Sequence, residues 1–167
     1  MKKVITQLFA TSMVFSPLAI TAGTFPQEKE AASGEAEAKE PDQKLEIEGN
    51  DLLQFNKKEF EIKAGETVQL TLKHVGKQPK EIMGHNFVIL KEGTDLAGWA
   101  TKAMTARATD FIPADEDAKS KIIAHTELLG GGEEDTITFS IADAGVYEFL
   151  CSFPGHFGVM RGKITVK

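Results

Sequence analysis

From Lys44 onward, apolar and polar residues alternate with a period of two over much of the chain. Leu45 and Ile47 alternate with Glu46 and Glu48, and Phe60 and Ile62 with Glu61 and Lys63. Val68, Leu70 and Leu72 alternate with Gln69, Thr71 and Lys73. Ile137, Phe139 and Ile141 follow the same rule, Tyr147, Phe149 and Cys151 share one strand face, and Ile164 and Val166 close the chain. This period predicts half-buried β-strands. Turn-forming residues separate the runs: Gly49-Asn50-Asp51, Ala64-Gly65, Gly130-Gly131-Gly132, Ala144-Gly145 and Pro154-Gly155. Residues 94–118 break the pattern, with Ala97, Ala100, Ala103, Ala106 and Ala108 around Trp99 and Met104. A short helix is expected near 95–107, then an irregular flap through Pro113. Many short strands with one helical insertion predict an all-β, antiparallel sandwich or barrel over residues 43–167.

The N-terminal part reads differently. Residues 1–22 begin with Lys2 and Lys3, continue through a mostly apolar stretch to Ala19 and end in Ile20-Thr21-Ala22. This is the layout of a secretory signal peptide. An uncleaved membrane anchor is the alternative, but Gln7, Thr11, Ser12, Ser16 and Pro17 interrupt the stretch. No cysteine lies near the cleavage point, which excludes lipid attachment there. Residues 23–42 carry the run Gln27 to Pro41, which has no large apolar side chain and reads as a flexible tether. No membrane span is expected in the mature chain.

Composition adds two constraints. The formal charge is −6, and removing residues 1–22, with two lysines and no acid, makes it −8. An acidic chain has no electrostatic route to nucleic acid. The single cysteine, Cys151, has no disulfide partner within the chain.

That cysteine opens the segment Cys151-Ser152-Phe153-Pro154-Gly155-His156-Phe157-Gly158-Val159-Met160. A thiolate, an imidazole and a thioether fall within ten residues, and Phe153-Pro154-Gly155 reverses the chain between them. His85 lies upstream in Met83-Gly84-His85-Asn86-Phe87. A thiolate with two imidazoles and a weak axial methionine suits copper in both of its oxidation states. Thioether sulfur is a poor ligand for zinc, calcium or magnesium. Taken singly, Cys151 also reads as a small buried hydrophobe and Met160 as core; their conjunction with both histidines points to one copper ion.

These residues resemble the azurins of the cupredoxin, or type 1 blue copper, family. The resemblance rests on Gly49-Asn50-Asp51, Gln54-Phe55-Asn56, Pro79-Lys80, Met83-Gly84-His85-Asn86, Ile123-Ala124-His125-Thr126, Phe153-Pro154-Gly155-His156 and Met160. It covers about residues 43–167 and implies a Greek-key β-sandwich. It implies His85, Cys151 and His156 as equatorial copper ligands, Met160 as axial ligand and the Gly84 carbonyl as a weak contact. Asn86 and the Phe153 backbone N–H are implied as supports beside the sulfur. His156 is implied to reach the surface among Met83, Phe153, Pro154, Gly155, Phe157 and Val159, a docking patch for redox partners, although Phe157 and Val159 also read as a water shield. His74 matches a buried histidine that makes the potential pH-sensitive, or a hydrogen-bonded structural one; His125 matches an exposed position without redox role. The family's usual disulfide is missing, since Gln43 and Gly65 occupy the aligned positions, which implies a stability lower by ~2–4 kcal/mol. Its core tryptophan is replaced by Phe87.

The expected function is a periplasmic electron carrier working with c-type cytochromes and reductases such as nitrite reductase or cytochrome c peroxidase. A periplasmic copper carrier or buffer without redox turnover is the alternative. Enzymatic activity is not expected: no second metal site accompanies the first, and Cys151 and His156 fit a ligand loop better than a nucleophile and base. A structural zinc module normally uses paired cysteine and histidine spacings, which one cysteine does not supply.

Overall fold

The computed structural model describes residues 40–167, so the expected signal peptide and most of the expected tether lie outside the described residues. Nine strands form two sheets: β1 (Gln43–Asn50), β2 (Gln54–Phe55), β3 (Glu59–Ile62), β4 (Val68–His74), β5 (Val88–Leu90), β6 (Ile122–His125), β7 (Glu134–Phe139), β8 (Gly145–Leu150) and β9 (Arg161–Val166). One sheet runs β2-β1-β4-β7 and the other β3-β9-β8-β5-β6. The alternating runs pair in register, so their apolar faces coincide: Leu45 sits opposite Leu70, Ile47 opposite Leu72 and Leu70 opposite Ile137. Ile47, Leu70, Leu72, Phe87, Ile89, Phe149 and Ile164 form the fully buried centre between the sheets. Phe87 stacks on Phe149 at 4.4 Å.

The sheets are mixed where the alternation suggested purely antiparallel pairing: β1 runs parallel to β4, and β3 parallel to β9. The cause is connectivity. The chain leaves β1, forms β3 in the other sheet, and returns as β4 alongside its starting strand. Strand alternation specifies faces, not directions.

Strand β5 lacked the period-two signature for a physical reason. All three residues of β5 are buried because both of its faces are covered. Ile89 points into the main core, while Val88 and Leu90 pack with Leu96, Trp99, Ala100 and Ala103. Those four belong to helix α2 (Leu96–Met104), within the expected helical insertion; helix α1 (Lys80–Met83) precedes it in the chain. The Asp95 side chain caps α2 by accepting from the Gly98 N–H at 3.2 Å. The flap that follows contains a 3-10 turn (Arg107–Thr109), left-handed residues Asp110 and Phe111, and helix α3 (Glu116–Lys119). Trp99 Nε1–H donates to the Ala118 carbonyl at 3.0 Å, so the flap is tied back onto α2. Among the described residues, no helix is long and apolar enough to cross a membrane.

At the start of β1, hydrogen bonds tie the chain to Thr67. The Asp42 and Gln43 N–H groups both donate to the Thr67 carbonyl, at 2.8 and 3.2 Å. The Asp42 carboxylate accepts from the Thr67 N–H at 2.8 Å.

Candidate metal centre

The ligand loop begins where β8 ends. Cys151 N–H donates to the Met160 carbonyl at 2.9 Å, closing a ten-residue turn onto itself. Inside it, His156 N–H donates to the Phe153 carbonyl, and the Val159 and Met160 N–H groups both donate to the His156 carbonyl, at 2.8 to 3.0 Å. Gly155 has φ +84°, a conformation that the sharp reversal requires and that glycine adopts without steric cost. Cys151 and Met160 are fully buried, and His156 is 4% exposed.

His85 enters from the other direction, just past α1. Its backbone N–H and carbonyl form a two-bond bridge with Leu129 at 3.0 and 2.8 Å. The ring Nε2 lies 2.9 Å from the Asn50 carbonyl. A carbonyl only accepts, so Nε2 carries the proton and Nδ1 is left with a bare lone pair. That lone pair faces the Cys151 Sγ at 3.9 Å, while His156 Nδ1 lies 3.6 Å from the same sulfur.

The three donor atoms all lie within 4.8 Å of one another. Ligand atoms each ~2.0–2.3 Å from a shared trigonal centre stand roughly 3.5–4 Å apart. The sulfur-to-nitrogen spacings therefore suit one first-row metal ion. The Gly84 carbonyl oxygen approaches the sulfur at 3.9 Å.

Burial sets the electrostatics. Desolvation pushes the Cys151 thiol up to about 11, against the backbone N–H groups of Asn86 and Phe153, which act to lower it. Desolvation also lowers His85 and His156 to about 4; His74 adds repulsion to both, and His85 adds repulsion to His156. Both imidazoles are thus neutral and ready to ligate at neutral pH, whereas the thiolate needs a cation beside it.

The supports expected from the sequence fall beside this cluster. Asn86 Nδ2–H donates to Ser152 Oγ at 2.8 Å, and its Oδ1 accepts from the Ser152 N–H at 2.8 Å. It thereby joins the segment carrying His85 to the segment carrying Cys151. His74 is buried and stacks on His85, centroid to centroid 4.3 Å. Its Nε2 lies 2.8 Å from the Met83 carbonyl and its Nδ1 accepts from the Gly76 N–H at 3.1 Å. His125 is exposed and takes no part in the cluster. Sequence reasoning missed the Asn50 carbonyl, Ser152 and the stacking of His74 on His85; the first is a backbone acceptor, which no residue type announces.

Residues 41–167 match the family model described as copper binding proteins, plastocyanin/azurin family. The chain belongs to the plastocyanin/azurin family. It is 42% identical to the azurin of Pseudomonas chlororaphis over 130 residues, 74% of this chain and 98% of that one. It is 44% identical to "Outer membrane protein H.8" of Neisseria gonorrhoeae over 72% of this chain; the match spans only 65% of that relative's length. The crystal structure of dithionite-reduced auracyanin from Roseiflexus castenholzii superposes with a TM-score of 0.66 at 38% identity, covering 74% of this chain and 96% of that one. With the soft donor set and its spacing, family membership makes the centre a type 1 copper site of His85, Cys151 and His156 with Met160.

Proposed function

We propose that this cupredoxin shuttles single electrons between periplasmic redox proteins. Bound at the site, copper supplies a one-electron couple between Cu(I) and Cu(II). The observation that carries the reading is the pre-formed, buried donor set. His85, Cys151 and His156 are each held by backbone hydrogen bonds within a rigid sandwich, and the Asn86–Ser152 pair locks the two segments together. Donors that move little between oxidation states keep the reorganisation barrier small.

Within that reading, His85, Cys151, His156 and Met160 would hold the copper, with the Gly84 carbonyl beside them, 3.9 Å from the Cys151 sulfur. Asn86 and the Phe153 N–H stabilise the sulfur's charged form and so tune the potential. His156 is the exit for the electron. Around it Gly155 and Val159 are exposed, Met83, Pro154 and Phe157 are half-buried, and Phe153 lies beneath them rather than on the surface. Phe153 and Pro154 also line a cleft of about 360 Å³ that combines apolar Met104, Phe111 and Leu128 with charged Lys80, Glu81, Arg107 and Asp110. A small apolar patch suits brief encounters with fast release. The partners are c-type cytochromes and reductases of the nitrite reductase or cytochrome c peroxidase kind, met after export directed by residues 1–22.

Visible spectroscopy with stopped-flow mixing tests this directly. The Cu(II)-loaded protein should absorb intensely near ~600 nm by thiolate-to-copper charge transfer, lose the band in Cys151→Ala, and exchange electrons rapidly with a reduced c-type cytochrome. A protein that shows the band but exchanges electrons with no cytochrome would overturn the shuttle in favour of copper carriage.

A further inference from the structure

Gly49 lies near the end of β1, buried, against the back of the metal centre. A strand interior is a poor place for glycine, which loses more entropy on folding than alanine and packs nothing. No left-handed backbone explains it, because Gly49 is not among the glycines with positive φ. What explains it is proximity. A Cβ at this position would stand 3.1 Å from His85 Cδ2, 3.4 Å from His85 Cγ and 3.5 Å from the Met160 ε-methyl carbon. Carbon–carbon contacts are optimal at about 3.5–4.0 Å, so the ring would have to yield. It has little freedom to do so. The His85 ring is held by the Asn50 carbonyl at 2.9 Å, stacked on His74 at 4.3 Å, and anchored by the backbone bridge to Leu129.

We propose that Gly49 is a positioning residue of the metal centre: its missing side chain sets how closely the His85 imidazole and the Met160 thioether approach Cys151. One hydrogen atom on β1 thus governs the His85 and Met160 donors together. This rests on the copper reading above, and its tests separate the two.

The packing claim is tested on the metal-free wild-type protein by nuclear Overhauser contacts. Gly49 Hα should show them to both the His85 Hδ2 proton and the Met160 methyl; absence of either overturns the proposal whatever metal the site takes. The consequence is tested with Gly49→Ala, a change the strand backbone accepts. In the Cu(II)-loaded variant the ratio of the ~450 nm to ~600 nm bands should change about twofold and copper affinity should fall about tenfold. The metal-free variant should show shifted His85 ring and Met160 methyl resonances. Gly145→Ala is the control. Gly145 begins β8 at the end opposite Cys151, and a Cβ there meets only the Glu92 carboxylate, the far end of a flexible side chain, so its spectrum and affinity should match wild type. A Gly49→Ala protein with wild-type ratio, affinity and resonances overturns the proposal. Failure of the wild-type protein to develop the ~600 nm band overturns the copper reading instead, and the resonances still decide the packing. If Gly49→Ala does not fold, the Gly49→Ala/His85→Gly double variant removes the ring that the methyl meets. Recovery of folding supports the contact, and continued unfolding overturns it.

Discussion

The titration behaviour of the ligands follows from their burial. In an unfolded chain an imidazole takes up its proton near ~6.5, but His85 and His156 do so only at about 4 in the folded protein. Between those values the unfolded chain holds more protons, so the metal-free fold loses stability as pH falls from 7 to 4 and loses no more from these two groups below that. Cys151 acts at the other end. Its thiol is pushed from 9.0 to about 11, so the fold holds the extra proton and loses stability as pH rises through that interval. The urea midpoint of the metal-free protein should therefore peak between about pH 6.5 and 9; a midpoint unchanged from pH 7 to pH 4 contradicts the assignment. Asn86 gives a second prediction at this scale. Asn86→Ala leaves the buried Ser152 N–H and Oγ without their partner. Removing it should cost about 2–3 kcal/mol in denaturant melts of the metal-free protein and weaken copper binding at least tenfold. Loss of affinity with no loss of stability would place Asn86's effect on the metal alone.

Helix α2 lies against the outer face of β5, and the stability of that contact is separable from the copper chemistry. Trp99 is buried against Val88, Leu90 and Leu150 with its indole N–H satisfied by Ala118. Trp99→Ala should lower stability by about 3–5 kcal/mol, seen as a lower thermal midpoint, while the ~600 nm band of the surviving folded protein keeps its position. A shifted band would show that the flap positions Cys151 through Leu150. The same element explains what the sequence revealed. β1, β3, β4, β7, β8 and β9 were legible because each has one wet face. β5 was not, because α2 covers the face that would otherwise have alternated polar residues. α1 is four residues long and carries no periodic signal. In the centre itself, Cys151, His156 and Met160 were legible because one loop holds them, and His85 because of the Gly-His-Asn motif around it. The Asn50 carbonyl and the bare Cα of Gly49 act through a backbone oxygen and a hydrogen, and neither changes the residue pattern in a way that names a metal.

At the scale of the molecule, charge and the proposed docking surface are separate. The chain is acidic, at −6, yet the end that carries His156 exposes Gly155 and Val159, with Ile82 62% and Leu52 75% exposed on the segments leading to and flanking His85. Long-range attraction to a basic partner and short-range fit should therefore respond to different changes. Raising ionic strength from ~10 mM to ~150 mM shortens the screening length from ~30 to ~8 Å. It should slow electron exchange with a basic cytochrome severalfold through slower encounter. In the proposed docking patch, Val159, half exposed beside His156, is the residue expected to set the fit instead. Val159→Asp buries an unpaired charge whenever a partner docks there, which costs complex stability at every salt concentration. Its second-order rate should fall about tenfold at low and high salt alike, with the ~600 nm band unchanged because the Val159 side chain lies outside the donor set. A deficit that appears only at low salt would mean that Val159→Asp acts through the long-range field. The docking surface would then lie elsewhere than the His156 end.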